Sequence, residues 1–451
     1  MASEEVVVVM VPFLAQSHLN QLLHLSRLIS AYNIPIHYVS TTCHSRQARN
    51  RLHGWNPSDF IHFHDFPDPD FTNPPPNPIA PTEFPTYLQR SLYLRDPVAS
   101  LIKSLSQTSR RVVVIHDTLM TYVVQDVKSI LNAETYVFRP LSVLYHLCIT
   151  FEVAGRELPF EPEMIRGLPS SSASLSYKLF DFIKLQQSYQ TIHVGYVYDS
   201  SRVIEGKHLE LLERDESCGR KHWALGPVEM QSGSLDSNNR HLCLQWLDNQ
   251  PENSVVYVSF GTTNTLSDDQ IMELAIGLEK SDHRFLWVLC DADKGGVSGN
   301  ESGRKFVLPL GFEERVKGRG LVMRDWAPQL DILGHLSTGG FMSHCGWNSC
   351  MEAMTMGVPI AAWPMSSDQP LNAFSLSSVL GVALLMKEWT PRDELLSSEI
   401  IKNVVTKLMD TSEGEAIRKK AVELGGELRR SKMEGGVTRI ELESFISFIR
   451  R

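Results

Sequence analysis

The chain has 451 residues, of which 42% are hydrophobic and 21% are charged, so it can bury the cores of two or three domains and is not intrinsically disordered. Its 43 lysines and arginines are outnumbered by 52 aspartates and glutamates, which gives a formal net charge of -9. Because there is also no long basic run, we expect no nucleic-acid partner.

The distribution of apolar residues and cysteines indicates in which cellular compartment the protein resides. No apolar stretch reaches the length of a membrane span, and the first residues lack the basic flank of a signal peptide, so we expect no stable membrane insertion. The seven cysteines are scattered and include no Cys-x-x-Cys pair, which fits a reducing compartment and predicts no thiolate metal site. We therefore expect a cytoplasmic protein.

Short β-branched runs alternate with helical patterns along the chain. Candidate strands lie at residues 6–11, 36–40, 112–115, 135–138, 255–260 and 285–289. This alternation is typical of parallel sheets covered by helices. A polar stretch at residues 231–240 has the composition of a linker. We therefore predict an α/β protein with an amino-terminal Rossmann-like domain at residues 1–235 and a second one at residues 236–430.

Three segments interrupt the alternation. Residues 66–85 are rich in proline and predict a surface loop without regular structure, and residues 157–174 and 291–305 also lack a periodic pattern. Loops of this length are commonly functional lids or disordered segments. Both alternatives stay open for each of them, including whether residues 66–85 act as a lid.

The turn after the first strand carries a histidine and no glycine. Because the first glycine of the chain is Gly54, a glycine-rich dinucleotide fingerprint is excluded from this half. His18 stands between strand and helix, where open α/β sheets bind ligands, and an imidazole there can act as a general base. Asp117 follows the strand at residues 112–115 and could hold that imidazole. The alternatives are that His18 and Asp117 are helix caps.

The region from Trp326 to Gln369 contains the densest group of polar candidates. It predicts a strand at residues 340–343, a glycine-containing turn and a helix at residues 348–356. The N–H groups and positive dipole end of such a helix bind phosphate. The side chains that suit a nucleotide sugar are Trp326 for the base, His344, Asn348 and Ser349 for phosphate, Glu352 for ribose, and Asp368 and Gln369 for sugar hydroxyls. The alternative is that these groups are core residues and caps.

This region resembles the signature box of plant glycosyltransferases of family 1, which use uridine-diphosphate (UDP) sugars. The resemblance extends to Ser-His-Leu-Asn at residues 17–20, to the strand-end pair His116-Asp117 and to residues 256–262. The amino half is most similar to zeatin O-glucosyltransferases, on residues 19–26 and 116–120. Ser17 departs from the wider family, which usually has glycine before the histidine.

The resemblance implies a GT-B fold, in which two facing Rossmann-like domains enclose the active site in a cleft. The amino half would bind the acceptor and the carboxyl half the donor, and the last helix, at about residues 431–451, would pack back on the first domain. By matching position, His18 is the catalytic base and Asp117 its partner. The donor-binding residues implied in the same way are Thr262, Trp326, Ala327, Gln329, His344, Trp347, Asn348, Ser349, Glu352, Asp368 and Gln369.

The expected activity is inverting O-glucosyl transfer from UDP-glucose to a hydroxyl of a small plant acceptor, by a monomer without cofactor or obligatory metal. A terminal glutamine in the box is similar to glucose users. The acceptor stays open between a cytokinin such as zeatin and a phenolic such as a flavonoid. Candidate walls of its pocket are Phe13, Phe84, Tyr87, His116, Tyr145, Phe151 and Phe180. A sensor that binds without turnover, and a hydrolase or lyase, are the alternative functions.

Overall fold

The computed structural model describes residues 3–50, 60–68, 86–172, 174–189, 192–215, 219–228, 240–261, 266–289, 307–387 and 394–451. Most of the predicted proline-rich loop, the linker and the irregular segment at residues 291–305 lie outside these ranges. Phe84 and Thr262 also lie outside them, as does the side chain of Tyr87.

Strands and helices alternate along the described chain. The strands are β1 (Ser3–Val11), β2 (Ile36–Thr41), β3 (Ile61–Phe66), β4 (Ser109–Asp117), β5 (Ala133–Arg139), β6 (His193–Tyr198), β7 (Lys221–Ala224), β8 (Val255–Ser259), β9 (Arg284–Val288), β10 (Gly320–Met323), β11 (Thr338–Ser343), β12 (Ile360–Ala362) and β13 (Ala383–Leu385). The α-helices are α1 (Gln16–Ser30), α2 (Thr42–Asn50), α3 (Thr86–Leu92), α4 (Arg95–Thr108), α5 (Val143–Val153), α6 (Pro162–Gly167), α7 (Tyr177–Gln187), α8 (Arg202–Arg214), α9 (Leu242–Leu247), α10 (Asp268–Ser281), α11 (Phe312–Arg315), α12 (Gln329–Leu333), α13 (Trp347–Met356), α14 (Gln369–Phe374), α15 (Ser398–Asp410), α16 (Ser412–Ser431) and α17 (Val437–Arg450).

The chain divides into two compact units. Unit 1 contains Met1–Pro159, Leu175–Gly233 and Ser431–Arg451, and unit 2 contains Phe160–Ser174 and Ser234–Arg430. The division between the units at Gly233 falls within the stretch predicted as a linker. The segment before Leu175, which the sequence-based boundaries placed in the first domain, groups with unit 2.

Unit 1 is built on a parallel sheet of seven described strands, in the order β3-β2-β1-β4-β5-β6-β7. The winding direction reverses between β1 and β4. At such a switch point the connections after the two central strands run to opposite faces of the sheet, which opens a crevice at their carboxyl ends. The predicted doubly wound architecture is therefore confirmed, and the switch point lies where Asp117 ends β4 and His18 stands in the first turn of α1, the helix after β1.

β1 is buried on both faces, as the central strand of a parallel sheet requires. Val8 and Met10 pack with Phe445 of α17 in one core, and Val9 packs with Phe182 of α7 in the other. The apolar face of α17 thus completes a core of unit 1. The helix begins at Val437, later than the sequence-based estimate of about residue 431.

Unit 2 repeats the doubly wound plan with six described strands, in the order β10-β9-β8-β11-β12-β13, all parallel. Its switch point lies between β8 and β11. The segment at residues 157–174, predicted as irregular, contains the short helix α6, because Pro162 occupies the first helical position, where proline is favoured. Within the described part of the chain, the search for a helix apolar and long enough to span a membrane finds none.

Several histidines of unit 1 are buried in uncharged form, among them His116, His146, His193 and His222. Desolvation is the main cause, and it lowers the pKa of His116 to about 4 and that of His222 to about 3. It also lowers the pKa of His146 and His193, with added repulsion from the guanidinium of Arg139. These side chains gain a proton near pH 5 only when the chain unfolds.

We therefore expect the protein to lose stability as the pH falls from 7 to 5. Below an ordinary histidine pKa of about 6.5 the unfolded state binds protons that the folded state excludes, which costs up to about 1.4 kcal/mol per pH unit for each histidine. Thermal unfolding followed by circular dichroism at pH 7, 6 and 5 measures this. The variant His222→Gln should show a smaller decrease, and a midpoint independent of pH would contradict the assignment.

Candidate active site

His18 and Asp117 meet at the switch point of unit 1. β1 and β4 are neighbours, with Val11 opposite His116, so the turn after β1 lies beside the end of β4. His18 Nδ1 lies 2.7 Å from Asp117 Oδ2. Because a carboxylate only accepts, Nδ1 donates the hydrogen bond and the ring's lone pair lies on Nε2. The pair has the geometry of a base and its orienting group.

The surroundings of the pair show whether His18 and Asp117 are only helix caps, the alternative that the sequence left open. The Asp117 side chain is fully buried, and its Oδ1 accepts from the backbone N–H of Leu119 at 2.9 Å, so it caps the short helix that follows and also contacts His18. His18 does not cap α1, because the N-cap is Ala15 and has no side-chain hydrogen bond. The His18 side chain is 14% exposed, so the buried carboxylate serves an imidazole that solvent reaches.

Two aromatic residues support this corner of unit 1. The ring of Phe13 meets the imidazole of His18 edge to face, with centroids 5.3 Å apart. Tyr38 donates its hydroxyl to the carbonyl oxygen of Leu19 at 2.8 Å, in the first turn of α1. Burial, with a smaller effect of the Asp117 charge, raises the pKa of Tyr38 far above its usual range. Tyr38 therefore stays protonated and acts only as a donor.

The predicted acceptor residues are spread over several elements. Phe13 and His116 adjoin the pair of His18 and Asp117, since the ring of Phe13 contacts His18 and His116 Nδ1 lies 2.8 Å from the carbonyl oxygen of Asp117. Tyr145 and Phe151 are buried on α5, and Phe151 lies under a guanidinium. Phe180 is half-buried on α7.

Two polar residues near His18 were missed by the sequence interpretation. His146, on α5, lies close enough for His18 to lower its pKa further, but nothing in its local sequence signals this. Gln21 lies one turn after His18 on α1, and its Nε2 donates to Asp199 Oδ2 at 2.7 Å. The three-residue spacing from His18 was a signal, because residues three apart share a helix face.

In unit 2, the turn between β11 and α13 forms the second group of candidates. Its residue Cys345 has a left-handed φ of 65°, and α13 starts after Gly346, an N-cap without a side-chain acceptor. The helix ends at Gly357, as predicted. Because β8 and β11 pair with Ser343 opposite Ser259, this turn lies beside the end of β8. An uncapped helix N-terminus at a switch point suits an anionic group.

The imidazole of His344 is wedged between two glycines. A Cβ atom on Gly261 would lie 2.8 Å from its ring, and one on Gly346 would lie 2.5 Å from its Nε2. Burial lowers the pKa of His344 to about 4, so the ring is neutral at neutral pH. His344 can therefore serve a phosphate as a hydrogen-bond donor and not as a cation.

Gln329 contacts two other predicted donor-binding residues. Its Nε2 donates to Ser349 Oγ at 3.0 Å and to Glu352 Oε2 at 2.7 Å, and its Oε1 accepts from the hydroxyl of Tyr257 at 3.2 Å. Ser349 and Glu352 lie three residues apart on α13 and share a face. The structure thus brings Gln329, Ser349 and Glu352 into one polar cluster.

The two tryptophans of the segment differ in exposure. The side chain of Trp326 is 43% exposed and its ring meets that of His241 edge to face at 6.2 Å, whereas Trp347 is buried in the first turn of α13. Ala327, next to Trp326, is also buried. Trp326 therefore offers an accessible flat surface, and Trp347 packs inside unit 2.

Asp368 and Gln369 are buried where the loop after β12 enters α14, with Asp368 at the N-cap and Gln369 as the first helical residue. Asp368 Oδ2 accepts from Asn372 Nδ2 at 2.6 Å, and the same amide donates to the carbonyl oxygen of Cys345 at 2.9 Å. Gln369 Oε1 accepts from the N–H of Met365 at 2.8 Å. These bonds tie the loop to the turn before α13. Among the described residues, no group of three histidines, cysteines, aspartates or glutamates is arranged to hold a metal ion.

Comparisons with known families cover nearly the whole chain. A family model for the glycosyltransferase N-terminal domain matches residues 4–230, and one for UDP-glucoronosyl and UDP-glucosyl transferase matches residues 227–417. The chain therefore belongs to the UDP-glycosyltransferases, and within them to the plant enzymes of glycosyltransferase family 1.

Individual relatives are similar over their full length. A zeatin O-glucosyltransferase from Phaseolus lunatus is 48% identical, over 99% of this chain and 97% of the relative. A zeatin O-xylosyltransferase from Phaseolus vulgaris is also 48% identical, over 99% and 98%. Phytolacca americana UGT2, solved with UDP-2fluoro-glucose and pterostilbene, is 27% identical with a TM-score of 0.83, over 99% of this chain and all of that one. The resemblance to zeatin O-glycosyltransferases and the GT-B fold class are confirmed.

We expect Gly346→Ala to weaken UDP binding by at least about tenfold, because the added methyl group must displace the wedged ring of His344 and disturb the turn before α13. Isothermal titration calorimetry with UDP measures this. Gly206→Ala is the matched control, since a Cβ there meets only an ordinary contact at 3.7 Å. Equal affinity in the two variants would contradict the placement of the phosphate site.

Proposed function

We propose that this protein is an inverting O-glucosyltransferase that transfers glucose from UDP-glucose to a hydroxyl of a small plant acceptor. The observation that carries the proposal is the hydrogen bond of His18 Nδ1 to buried Asp117, because it makes Nε2 a base at a ligand-binding switch point. The zeatin O-glucosyltransferase and zeatin O-xylosyltransferase relatives support transfer to oxygen.

In the proposed mechanism, His18 Nε2 takes the proton of the acceptor hydroxyl while the oxygen attacks the anomeric carbon. The new C–O bond forms on the face opposite the diphosphate, the bond to UDP breaks, and an α-linked donor gives a β-glucoside. Asp117 stabilises the imidazolium that results. The charge on the departing UDP is met by the N-terminus of α13 and its flanking donors, without an obligatory metal.

Unit 1 then provides the acceptor-binding domain and unit 2 the donor-binding domain. In this assignment Trp326 stacks on uracil, Ala327 and Gln329 bind the base and ribose region, Glu352 accepts from ribose hydroxyls, His344, Asn348, Ser349 and Thr262 hold the diphosphate, and Trp347, Asp368 and Gln369 address the sugar. The exposure of Trp326 and the cluster of Gln329 with Glu352 support the base and ribose assignments. We place the reaction in the cytoplasm and assign it to the monomer.

Two acceptor classes are compared, cytokinins with a side-chain hydroxyl and phenolics such as flavonoids. The zeatin relatives favour a cytokinin, whereas the solved complex of Phytolacca americana UGT2 contains pterostilbene. An aromatic pocket discriminates weakly between flat molecules of similar shape. Cytokinins are the first choice because the zeatin relatives are similar over their full length.

Incubation with UDP-glucose and a panel of trans-zeatin, flavonols, isoflavones and simple phenols tests the function by product mass spectrometry. We expect one added hexose, on zeatin in preference to the phenolics. A hexose on phenolics alone would reject the cytokinin proposal. Free glucose without glycoside would identify a hydrolase, and intact UDP-glucose together with binding of UDP would favour a sensor.

We expect His18→Ala to lower turnover by about 100 to 10,000-fold, the typical contribution of a general base. UDP binding should change little, because the residues assigned to the donor belong to unit 2. Initial rates with UDP-glucose and calorimetry with UDP measure the two effects. The control His24→Ala alters a histidine on the same helix that has no assigned role, and near-normal turnover of His18→Ala would reject His18 as the base.

A further inference from the structure

The first turn of α1, which carries His18, lacks the usual stabilisation of a helix start. Its N-cap is Ala15, with no side-chain hydrogen bond, and its first turn contains no acidic residue. Capping side chains and first-turn carboxylates are the common means of fixing such a turn. The orientation of His18 must therefore depend on contacts that the helix makes with other elements.

Gln21 provides such contacts from the next turn of the helix. Its side chain is buried, and its Nε2 donates to Asp199 Oδ2 at 2.7 Å and to the carbonyl oxygen of Pro140 at 3.2 Å. Pro140 directly follows β5 and Asp199 directly follows β6. One amide thus joins α1 to the carboxyl ends of two strands on the far side of β4.

Asp199 is itself held firmly. It is buried, and its Oδ1 accepts from the backbone N–H of Val228 at 3.0 Å. A Cβ atom on Gly226 would lie 2.5 Å from the same oxygen, so the backbone passes close to the carboxylate. A buried carboxylate that is anchored by the backbone and accepts from an amide is a fixed point for that amide.

His18 and Gln21 therefore anchor one helix face at two places. His18 reaches Asp117 at the end of β4, and Gln21 reaches Asp199 after β6. Since residues three apart share a helix face, a rotation of α1 about its axis would break both contacts together. Loss of the Gln21 contact leaves this face of α1 held by the His18–Asp117 bond and by the bond of Tyr38 to the carbonyl oxygen of Leu19, so the helix can shift and move His18 relative to the acceptor.

We propose that Gln21, through Asp199, is a positioning residue that sets the orientation of the catalytic base His18. This inference rests on the proposed role of His18 in glucosyl transfer. Gln21 touches neither the acceptor nor the donor in this scheme, so it acts on the rate and not on donor binding.

Kinetics of Gln21→Leu with UDP-glucose and the acceptor of the wild-type protein test the proposal. We expect kcat to fall by about 10 to 100-fold, because displacement of a catalytic group by about 1 Å has effects of this size, with KM for UDP-glucose unchanged. Gln270→Leu is the matched control. Gln270 is a buried glutamine of unit 2 with two side-chain bonds to the backbone of Leu396, and its replacement should leave kcat unchanged.

The same substitution in a His18→Ala background separates positioning from general destabilisation. If Gln21 acts through His18, Gln21→Leu has no further effect on the residual rate. A second loss as large as the first, or an unchanged kcat in Gln21→Leu alone, would overturn the proposal.

Exchanging the amide and the carboxylate between positions 21 and 199 tests whether kcat can be rescued. Gln21→Glu alone places two carboxylates in contact and should be severely impaired. Gln21→Glu combined with Asp199→Asn restores the hydrogen bond between the two side chains with the donor on the other side, but not the bond to the carbonyl oxygen of Pro140. We expect the double variant to recover at least about tenfold of the lost kcat. Failure to exceed the single variant would count against the contact.

Nuclear magnetic resonance of isotope-labelled histidine gives a readout independent of activity. The His18 signal, assigned by its loss in His18→Ala, should shift in Gln21→Leu and stay in place in Gln270→Leu. An unshifted signal would overturn the positioning role even in an active protein. A shifted signal in a protein that transfers no glucose would instead reject the proposed function and keep the structural coupling.

Discussion

The hydrogen bond between His18 and Asp117 is the interaction on which the proposed chemistry of unit 1 depends. The two residues are 99 positions apart in the chain, and only the order of the sheet brings them together. Because β1 and β4 are parallel neighbours at the switch point, the turn after one strand reaches the last residue of the other. Asp117 is fully buried, whereas His18 is partly exposed. The buried carboxylate therefore orients an imidazole that solvent and ligands can reach, as a general base requires.

Unit 2 uses the same topology for a different purpose. Its switch point lies between β8 and β11, and the group placed there is the N-terminus of α13 instead of an acid–base pair. Backbone N–H groups suit an anion because they donate hydrogen bonds without being ionised, so their ability to bind it does not change with pH. The neutral ring of His344 fits this interpretation, since a buried imidazolium would carry a large desolvation cost.

The parts of the fold and site that the sequence predicted are those with local signals. The doubly wound plan followed from alternating strand and helix patterns, and α13 was predicted to within one residue at its start and correctly at its end, because glycines flank it. His18 and Asp117 were recognised because each follows a strand. The contact of Gln21 with Asp199 spans 178 positions and has no local pattern on the Asp199 side, so sequence reasoning missed it. The helix α6 was missed because prolines indicated a loop.

The acceptor pocket is the part of the site least accessible to sequence reasoning, because its candidate residues come from separate elements and each is also a reasonable core residue. Phe13 illustrates this, since its ring contacts His18 and also belongs to a core cluster with Phe182. The protonation state of candidate residues is a second property that the sequence does not show. His116 is neutral because it is buried, and its burial is known only from the folded structure.

The central claim is that His18 activates a hydroxyl for a single displacement at the anomeric carbon. The configuration of the glucoside, read from the coupling of its anomeric proton in nuclear magnetic resonance, tests this most directly. The account predicts a β-glucoside from the α-linked donor, formed by wild-type protein and strongly diminished in His18→Ala. An α-glucoside, or the same β-glucoside formed equally well without His18, would contradict it.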